Sequence, residues 1–145
     1  MNVLVFEDEA LSAQRLCTLI TQIDSSMNIL AVIDSVSKGI EWLQNHAMPD
    51  LMFMDIHLSD GIVFEVFNQI KISSPIIFTT AFDEYAIKAF KVNSVDYLLK
   101  PIDKEELEQA IIKFKTIRQD ISILSSFVND YLQKTTTPYK SRFLV

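Results

Sequence analysis

Five short apolar runs, each followed by a stretch with helical spacing, constrain the fold of this 145-residue chain more than any other feature. The runs are residues 2–6, 28–33, 51–54, 76–79 and 95–99. Apolar residues recur at the spacing of amphipathic helices in residues 10–23, 36–46, 62–70 and 83–92, and again in a long stretch from residue 103. Strands that alternate with helices predict a parallel sheet covered on both faces, and strands buried in this way are continuous apolar runs. We therefore expect a doubly wound α/β domain.

The composition restricts the cellular setting of the chain. Its net charge of −6 argues against direct binding to nucleic acid, which normally requires a basic patch. The single cysteine, Cys17, cannot form an internal disulfide, as is usual in reducing compartments. The N-terminus lacks the basic region of a signal peptide, and no apolar run approaches the roughly 18 residues of a membrane helix. We therefore expect a cytoplasmic protein that does not contact a membrane.

Polar and charged residues follow the predicted strands at the points where they end. Glu7 and Asp8 follow the first strand, Asp55 the third, Thr80 the fourth and Lys100 the fifth. In an open parallel sheet the ligand site lies outside the carboxyl ends of the strands. The sequence therefore predicts that carboxylates, a hydroxyl and an ammonium group converge on one rim of the sheet.

These groups suit phosphoryl transfer to a carboxylate. Mg²⁺ binds one or two carboxylates together with waters and phosphate oxygens, and a carboxylate can itself attack phosphorus to form an aspartyl-phosphate. Each group also has an ordinary interpretation, since acidic residues favour a helix N-terminus and a lysine before a proline is most often a surface residue. Asp55 is harder to explain in this way, because an unpaired charge beside a buried strand is costly. Because all of these groups occur together at the strand ends, a site for phosphoryl transfer is favoured over the separate ordinary interpretations.

Four segments resemble the receiver domains of two-component response regulators. They are VLVFEDEA, LMFMDIHL, IIFTTAFDEYAIKAF and VDYLLKPI, in the order of that family and at about its spacing. The resemblance covers residues 1–118 and implies a flavodoxin-like (βα)5 fold with parallel strands in the order 2-1-3-4-5. It also implies a phosphorylation-controlled switch that receives its phosphoryl group from a histidine kinase. Such a domain is not an enzyme, apart from Mg²⁺-dependent transfer to itself and hydrolysis.

The resemblance assigns the acidic residues their roles. Asp55 is the phosphoacceptor and also a metal ligand. Asp8 binds Mg²⁺ directly, Glu7 assists through a metal-bound water, and His57 offers its backbone carbonyl to the metal. Glu7 stands where the family usually has Asp, and its extra methylene moves the carboxylate toward direct ligation or weakens metal binding.

The resemblance assigns three further residues to phosphate binding and to the conformational change that follows phosphorylation. Thr80 receives a phosphoryl oxygen and moves on activation, and Lys100 pairs with the phosphate. Tyr97 resembles the aromatic residue whose ring turns inward when Thr80 moves. The peptide bond between Lys100 and Pro101 is expected to be cis.

The loop after the acceptor departs from the family pattern. Ser59 stands where a proline is usual, and Val63 stands where a glycine is common, while Gly61 lies two residues earlier. We therefore expect the loop over residues 58–62 to take a different path. Neither departure removes a group that the chemistry requires.

The second half of the chain is similar to regulators with a LytTR-type DNA-binding domain. The similarity lies in the run TTAFDEYAIKAFKVNSVDYLLKPID, and YKSRFLV at residues 139–145 resembles the first strand of such a domain. On this interpretation residues 1–118 are the receiver domain, 119–137 a helix extension and linker, and 138–145 the truncated start of the output domain. DNA would be bound only through that output domain, and the function would be transcription regulation.

The last predicted helix has a heptad pattern. Apolar residues recur every seven positions from Leu107 to Val128, and a second series from Ala110 to Tyr131 lies three positions later. The first two repeats are explained by packing on the sheet, and the last two extend beyond the length that a receiver needs. An apolar stripe of this kind requires a partner, which is a second copy, the downstream domain or a crystal neighbour. We favour homodimerisation through Ile117, Ile121, Leu124, Val128 and Tyr131.

Two other functions fit the same residues less well. A Mg²⁺-dependent phosphatase with an aspartyl-phosphate intermediate usually has a second Asp two residues after the nucleophile, where this chain has His57, and a cap domain for which this chain has no room. The second alternative is a dimerisation scaffold that does not depend on phosphorylation. It would explain why Glu7 replaces the usual Asp, but not why the other residues of the predicted site are all present.

Overall fold

The structure, a computed structural model, describes residues 1–82 and 94–134. Within these ranges it has seven strands and four helices, which are β1 Asn2–Phe6, α1 Ala10–Ile23, β2 Asn28–Ile33, α2 Val36–Asn45, β3 Leu51–Met54, β4 His57–Leu58, β5 Gly61–Ile62, α3 Phe64–Gln69, β6 Ile76–Thr80, β7 Ser94–Leu99 and α4 Lys104–Lys134. The helix predicted over residues 83–92 and the segment 138–145 lie outside the described residues.

Five of the strands form one parallel sheet in the order β2-β1-β3-β6-β7. When the two-residue strands β4 and β5 are set aside, this is the predicted order 2-1-3-4-5, and the predicted flavodoxin-like α/β fold is confirmed. Every residue of β3 and β6 is buried, whereas β2, at the edge of the sheet, is buried fully only at Ile33. Continuous apolar runs therefore mark the central strands, which are covered on both faces.

Both faces of the sheet are packed. Leu4 and Phe6 of β1 join Val36 and Leu43 of α2 and Val66 of α3 in one apolar cluster. The alternating residues of β1, Val3 and Val5, point to the opposite face and are also fully buried. The sheet is thus held from both sides, which fixes the positions of the strand ends.

The structure differs from the sequence prediction mainly around α3. A helix was expected over residues 62–70, but Ile62 pairs with His57 in a short antiparallel hairpin, and the helix begins at Phe64. Two-residue strands are too short to produce a periodic pattern, so the sequence did not reveal them. For the other predicted helices and strands that the structure describes, the bounds agree to within one residue, as at the end of α2, where Asn45 is the last helical residue.

The chain divides into two compact units, Met1–Ile111, which contains the sheet, and the residues from Ile112 onward, which contain most of α4. In the described part of the chain, no helix is both long and apolar enough to cross a membrane.

Candidate functional site

Three acidic side chains meet at the carboxyl ends of β1 and β3. The backbone N–H of Glu7 donates to the carbonyl of Ile33 at 2.8 Å, and that of Asp55 donates to the carbonyl of Phe6 at 2.9 Å. These bonds continue the ladders of the sheet by one residue, so the side chains after the strands are held by the sheet itself. Carboxylate oxygens of Glu7, Asp8 and Asp55 lie within 4.8 Å of one another. The structure therefore brings the predicted acidic residues together.

Lys100 reaches this cluster from the end of β7. Its ammonium group donates to Asp55 Oδ2 at 2.8 Å and also to Glu7 Oε1. Its backbone N–H donates to the carbonyl of Thr80 at 2.7 Å, which aligns the ends of β6 and β7. The peptide bond to Pro101 is cis, as expected.

Burial controls the protonation of the cluster. Glu7 and Asp55 are buried, with 3% and 6% of their residue surface exposed. Burial, opposed by the hydrogen bond from Lys100, raises the pKa of Glu7 to about 7. Burial alone would lower the pKa of Lys100, but the hydrogen bonds to Asp55 and Glu7 raise it above its usual value. Lys100 is therefore a permanent cation, whereas Glu7 changes its protonation near neutral pH.

The donor set fits a hard divalent cation. Three carboxylate groups lie at one rim, with Asp8 exposed and the other two buried. Mg²⁺ prefers oxygen ligands and usually binds one or two carboxylates while keeping several waters. Buried carboxylates this close together also need a countercharge to remain ionised. The chemistry of these side chains is therefore that of a Mg²⁺ site next to an ion-paired lysine.

Phe82 contacts three more of the predicted site residues, Thr80, Tyr97 and His57. Thr80 is buried, and its hydroxyl accepts a hydrogen bond from the N–H of Phe82 at 3.4 Å. The hydroxyl of Tyr97 donates to the carbonyl of Phe82. The ring of Phe82 lies 4.5 Å from the imidazole of His57, at an interplanar angle of 58°. Thr80, Tyr97 and His57 thus all contact one residue at the end of β6.

One contact to the loop after Lys100 was not predicted from the sequence. Arg15 of α1 donates from Nη2 to the carbonyl of Ile102 at 2.9 Å, across 87 positions of the chain. An arginine on an amphipathic helix is normally read as a solvated residue, so only the structure shows this contact.

The loop after Asp55 forms the hairpin of β4 and β5. His57 pairs with Ile62, and Leu58 pairs with Gly61. Gly61 has φ of 155°, a conformation that L side chains rarely adopt, which explains the glycine at this position. Ser59 and Asp60 form the turn, and Asp60 was not among the predicted site residues.

A doubly wound α/β domain with an acidic cluster and an ion-paired lysine at the carboxyl edge of its sheet has the architecture of a receiver domain. The family described as the response regulator receiver domain matches residues 3–112. The chain belongs to this family.

Curated relatives support the same assignment. The chain is 39% identical over 116 residues to the sensory transduction protein LytT of Enterococcus faecalis, an alignment that covers 78% of this chain and 47% of that protein. It is 35% identical over 128 residues to the transcriptional regulatory protein BtsR of Shigella flexneri, covering 86% and 53%. The chain spans about half the length of the curated relatives that it matches.

Among solved structures, the response regulatory domain of mrkE from Klebsiella pneumoniae is similar, with a TM-score of 0.72 and 31% identity. The match covers 83% of this chain and 99% of that domain. Receiver domains are phosphorylation-controlled signalling modules that act with histidine kinases and use Mg²⁺ at an acidic pocket, and they are not normally counted among the enzymes. Several curated relatives are named LytT or LytR, which agrees with the LytTR-type subfamily predicted from the sequence.

Proposed function

We propose that Asp55 accepts a phosphoryl group from a histidine kinase and that the resulting change controls a DNA-binding output domain. The observation that carries this proposal is the convergence of three carboxylates within 4.8 Å, with Lys100 bonded to two of them. A carboxylate nucleophile gives an aspartyl-phosphate, and phosphoryl transfer requires mainly positioning and neutralisation of charge.

The acidic residues bind the metal and the phosphoryl group. Asp8, Asp55 and Glu7, with the backbone carbonyl of His57, hold Mg²⁺, which supplies positive charge to the phosphoryl oxygens when it is bound. Asp55 presents a carboxylate oxygen to phosphorus, and its burial keeps water away from the acceptor. Glu7 serves in this set only when it is ionised, because a protonated carboxyl is a poor metal ligand.

Lys100, Thr80 and Tyr97 respond to the new charge. A phosphoryl group adds about two negative charges, and Lys100, now bonded to Asp55 and Glu7, turns toward it. The hydroxyl of Thr80 exchanges the N–H of Phe82 for a phosphoryl oxygen. Phe82 also accepts the hydrogen bond of Tyr97, so a shift at Thr80 changes the contacts of Tyr97 at the surface.

In this proposal the output domain follows the receiver along the chain. Residues 1–118 act as the receiver, residues 119–137 as a helix extension and linker, and residues 138–145 as the start of a LytTR-type output domain. DNA is bound through that output domain and not through the receiver, whose chain is acidic. A regulator of transcription would act in the cytoplasm.

A second copy of the chain is the proposed partner of the last helix. Leu124 and Val128 are 63% and 53% exposed, and Ile117 is partly exposed on the same stripe. Together with Ile121 and Tyr131 in the heptad pattern, these residues form the proposed dimer helix.

The test of the acceptor is intact mass after incubation with acetyl phosphate and Mg²⁺. We expect the gain of one phosphoryl group, dependent on Mg²⁺ and lost in Asp55→Asn. The matched control is Asp34→Asn, which removes an exposed carboxylate at the end of β2 and leaves phosphorylation intact. Phosphorylation of Asp55→Asn to the same extent, or no gain by the folded unaltered chain, would exclude Asp55 as the acceptor.

A further inference from the structure

The turn after the acceptor residue is fastened to the start of α2. Asp60 accepts two backbone hydrogen bonds, Oδ1 from the N–H of Val36 at 2.6 Å and Oδ2 from the N–H of Ser37 at 3.1 Å. Ser59 donates twice to the carbonyl of Asp34, from its N–H at 3.3 Å and from its hydroxyl at 3.0 Å. We call these four hydrogen bonds of Ser59 and Asp60 the clamp.

The clamp is attached to a rigid part of the molecule. Val36 begins α2 and is buried in the core, and Gly39, one turn later, lies against the ring of Phe6. The hydroxyl of Ser35 accepts from the N–H of Lys38 at 3.1 Å and so caps the helix. The start of α2 is therefore fixed by packing and by its own cap.

The hairpin pairs over a short length, and its apolar side chains Leu58 and Ile62 pack on the core cluster. Its strands contribute only two residue pairs, His57 with Ile62 and Leu58 with Gly61. An isolated hairpin is marginally stable even when it is longer. The base is closed by one bond, from the N–H of Val63 to the carbonyl of Ile56 at 2.7 Å. Core packing holds the strands of the hairpin and the clamp holds its turn, so the position of the His57 backbone depends on both.

We propose that Asp60, supported by Ser59, is a positioning residue for metal binding, because the clamp holds the hairpin that carries the His57 carbonyl. This inference rests on the proposed function, in which that carbonyl is a ligand of Mg²⁺. Metal ligands must be held within about 0.5 Å of their working positions. Asp60 touches neither the metal nor the phosphoryl group and acts only through the backbone of the hairpin.

The clamp also accounts for Ser59, which stands where the family usually has proline. A proline has no N–H and no hydroxyl to donate, so it would make neither of the bonds to Asp34. The hydrogen bond from Val36, the main cause, lowers the pKa of the Asp60 carboxyl despite its exposure. The carboxylate form that accepts both N–H groups is therefore favoured.

The experiment is calorimetric titration of the full chain with Mg²⁺, without a phosphodonor and at 0.15 M salt, beside thermal unfolding in EDTA. We expect Asp60→Ala to weaken Mg²⁺ binding by about tenfold, as for other losses of partners that orient metal ligands. Asp60→Asn retains one acceptor oxygen and restores part of the affinity. The matched control is Asp34→Asn, which removes the same charge from the same junction but keeps the backbone carbonyl of the clamp. Its effect should stay below about twofold, since surface charges are screened at this salt concentration.

Three outcomes would overturn the inference. An unchanged Mg²⁺ affinity in Asp60→Ala, even with a lower melting temperature, would reduce the clamp to a structural role. An equal loss in Asp34→Asn would mean that charge, and not positioning, is responsible. If the unaltered chain binds no Mg²⁺, the proposed metal site fails together with the inference, which distinguishes that case from the first two.

Discussion

At the scale of single residues, Glu7 experiences two opposing effects. Burial and the neighbouring Asp55 disfavour its ionised form, whereas the ion pair with Lys100 favours it. Burial dominates and raises the pKa of the Glu7 carboxyl from 4.5 to about 7. Glu7 is a metal ligand in the proposed function. Its ionisation as pH rises toward and beyond 7 also lowers the stability of the fold.

The pH dependence of stability follows from this shift. Between pH 4.5 and about 7 the folded chain keeps a proton on Glu7 that the unfolded chain releases, so the free energy of unfolding falls as pH rises through this window. Glu7→Gln should remove the slope, and the unaltered chain should lose about 1–3 kcal/mol relative to the variant between pH 4.5 and 8. Urea unfolding in EDTA at several pH values measures the difference, with the exposed Glu9→Gln as control. Parallel curves for the unaltered chain and Glu7→Gln would show that Lys100 keeps Glu7 ionised throughout.

At the scale of the elements, α2 depends on one close contact. A β-carbon at Gly39 would lie 2.3 Å from Cε2 of Phe6, and that ring is fully buried in the core cluster. Alanine in a helix is favoured over glycine by about 1 kcal/mol, but a Phe6 ring displaced from a packed core costs more. This contact therefore decides whether alanine at Gly39 stabilises or destabilises the protein.

We expect Gly39→Ala to lower the free energy of unfolding by about 1–3 kcal/mol, the usual cost of overpacking. The control is Gln44→Ala on the same helix, at an exposed position, which should change stability little or improve it. Denaturant unfolding of both variants measures the difference. A more stable Gly39→Ala protein would mean that Phe6 moves aside at little cost.

The elements also show what the sequence could predict. The central strands were identified because burial on both faces makes runs such as LMFM continuous, and the residues that follow them were predicted to meet because parallel strands end at one edge. The hairpin and the clamp were not predicted, because two-residue strands have no period and Asp60 binds residues 23 and 24 positions away. The contact of Arg15 with Ile102 was missed for the same reason, since its partner is a backbone carbonyl distant in sequence.

At the scale of the whole molecule, the unit from Ile112 onward contains a single helix among its described residues. Most helical stability in proteins comes from packing an apolar face and not from intrinsic propensity. The later turns of this helix instead expose apolar residues, with Phe127 and Leu132 beside the predicted stripe of Leu124 and Val128. A parallel or antiparallel pair of such helices would bury this surface, and the proposed homodimer provides one.

The dimer is tested by one pair of lysine substitutions on opposite sides of the helix. Leu124→Lys places a charge on the stripe, where pairing would bury it without a partner, at a cost that a marginal interface cannot sustain. Ser126 is exposed and lies two positions later, on the side of the helix away from the stripe, so Ser126→Lys adds the same charge without entering the interface. Sedimentation over a range of concentrations should show a dimer for the unaltered chain and for Ser126→Lys, and a monomer for Leu124→Lys, with the same helical content in circular dichroism. If Leu124→Lys dimerises as well as Ser126→Lys does, the interface lies elsewhere on the molecule. If the unaltered chain remains monomeric both before and after phosphorylation, the helix is not a dimerisation element.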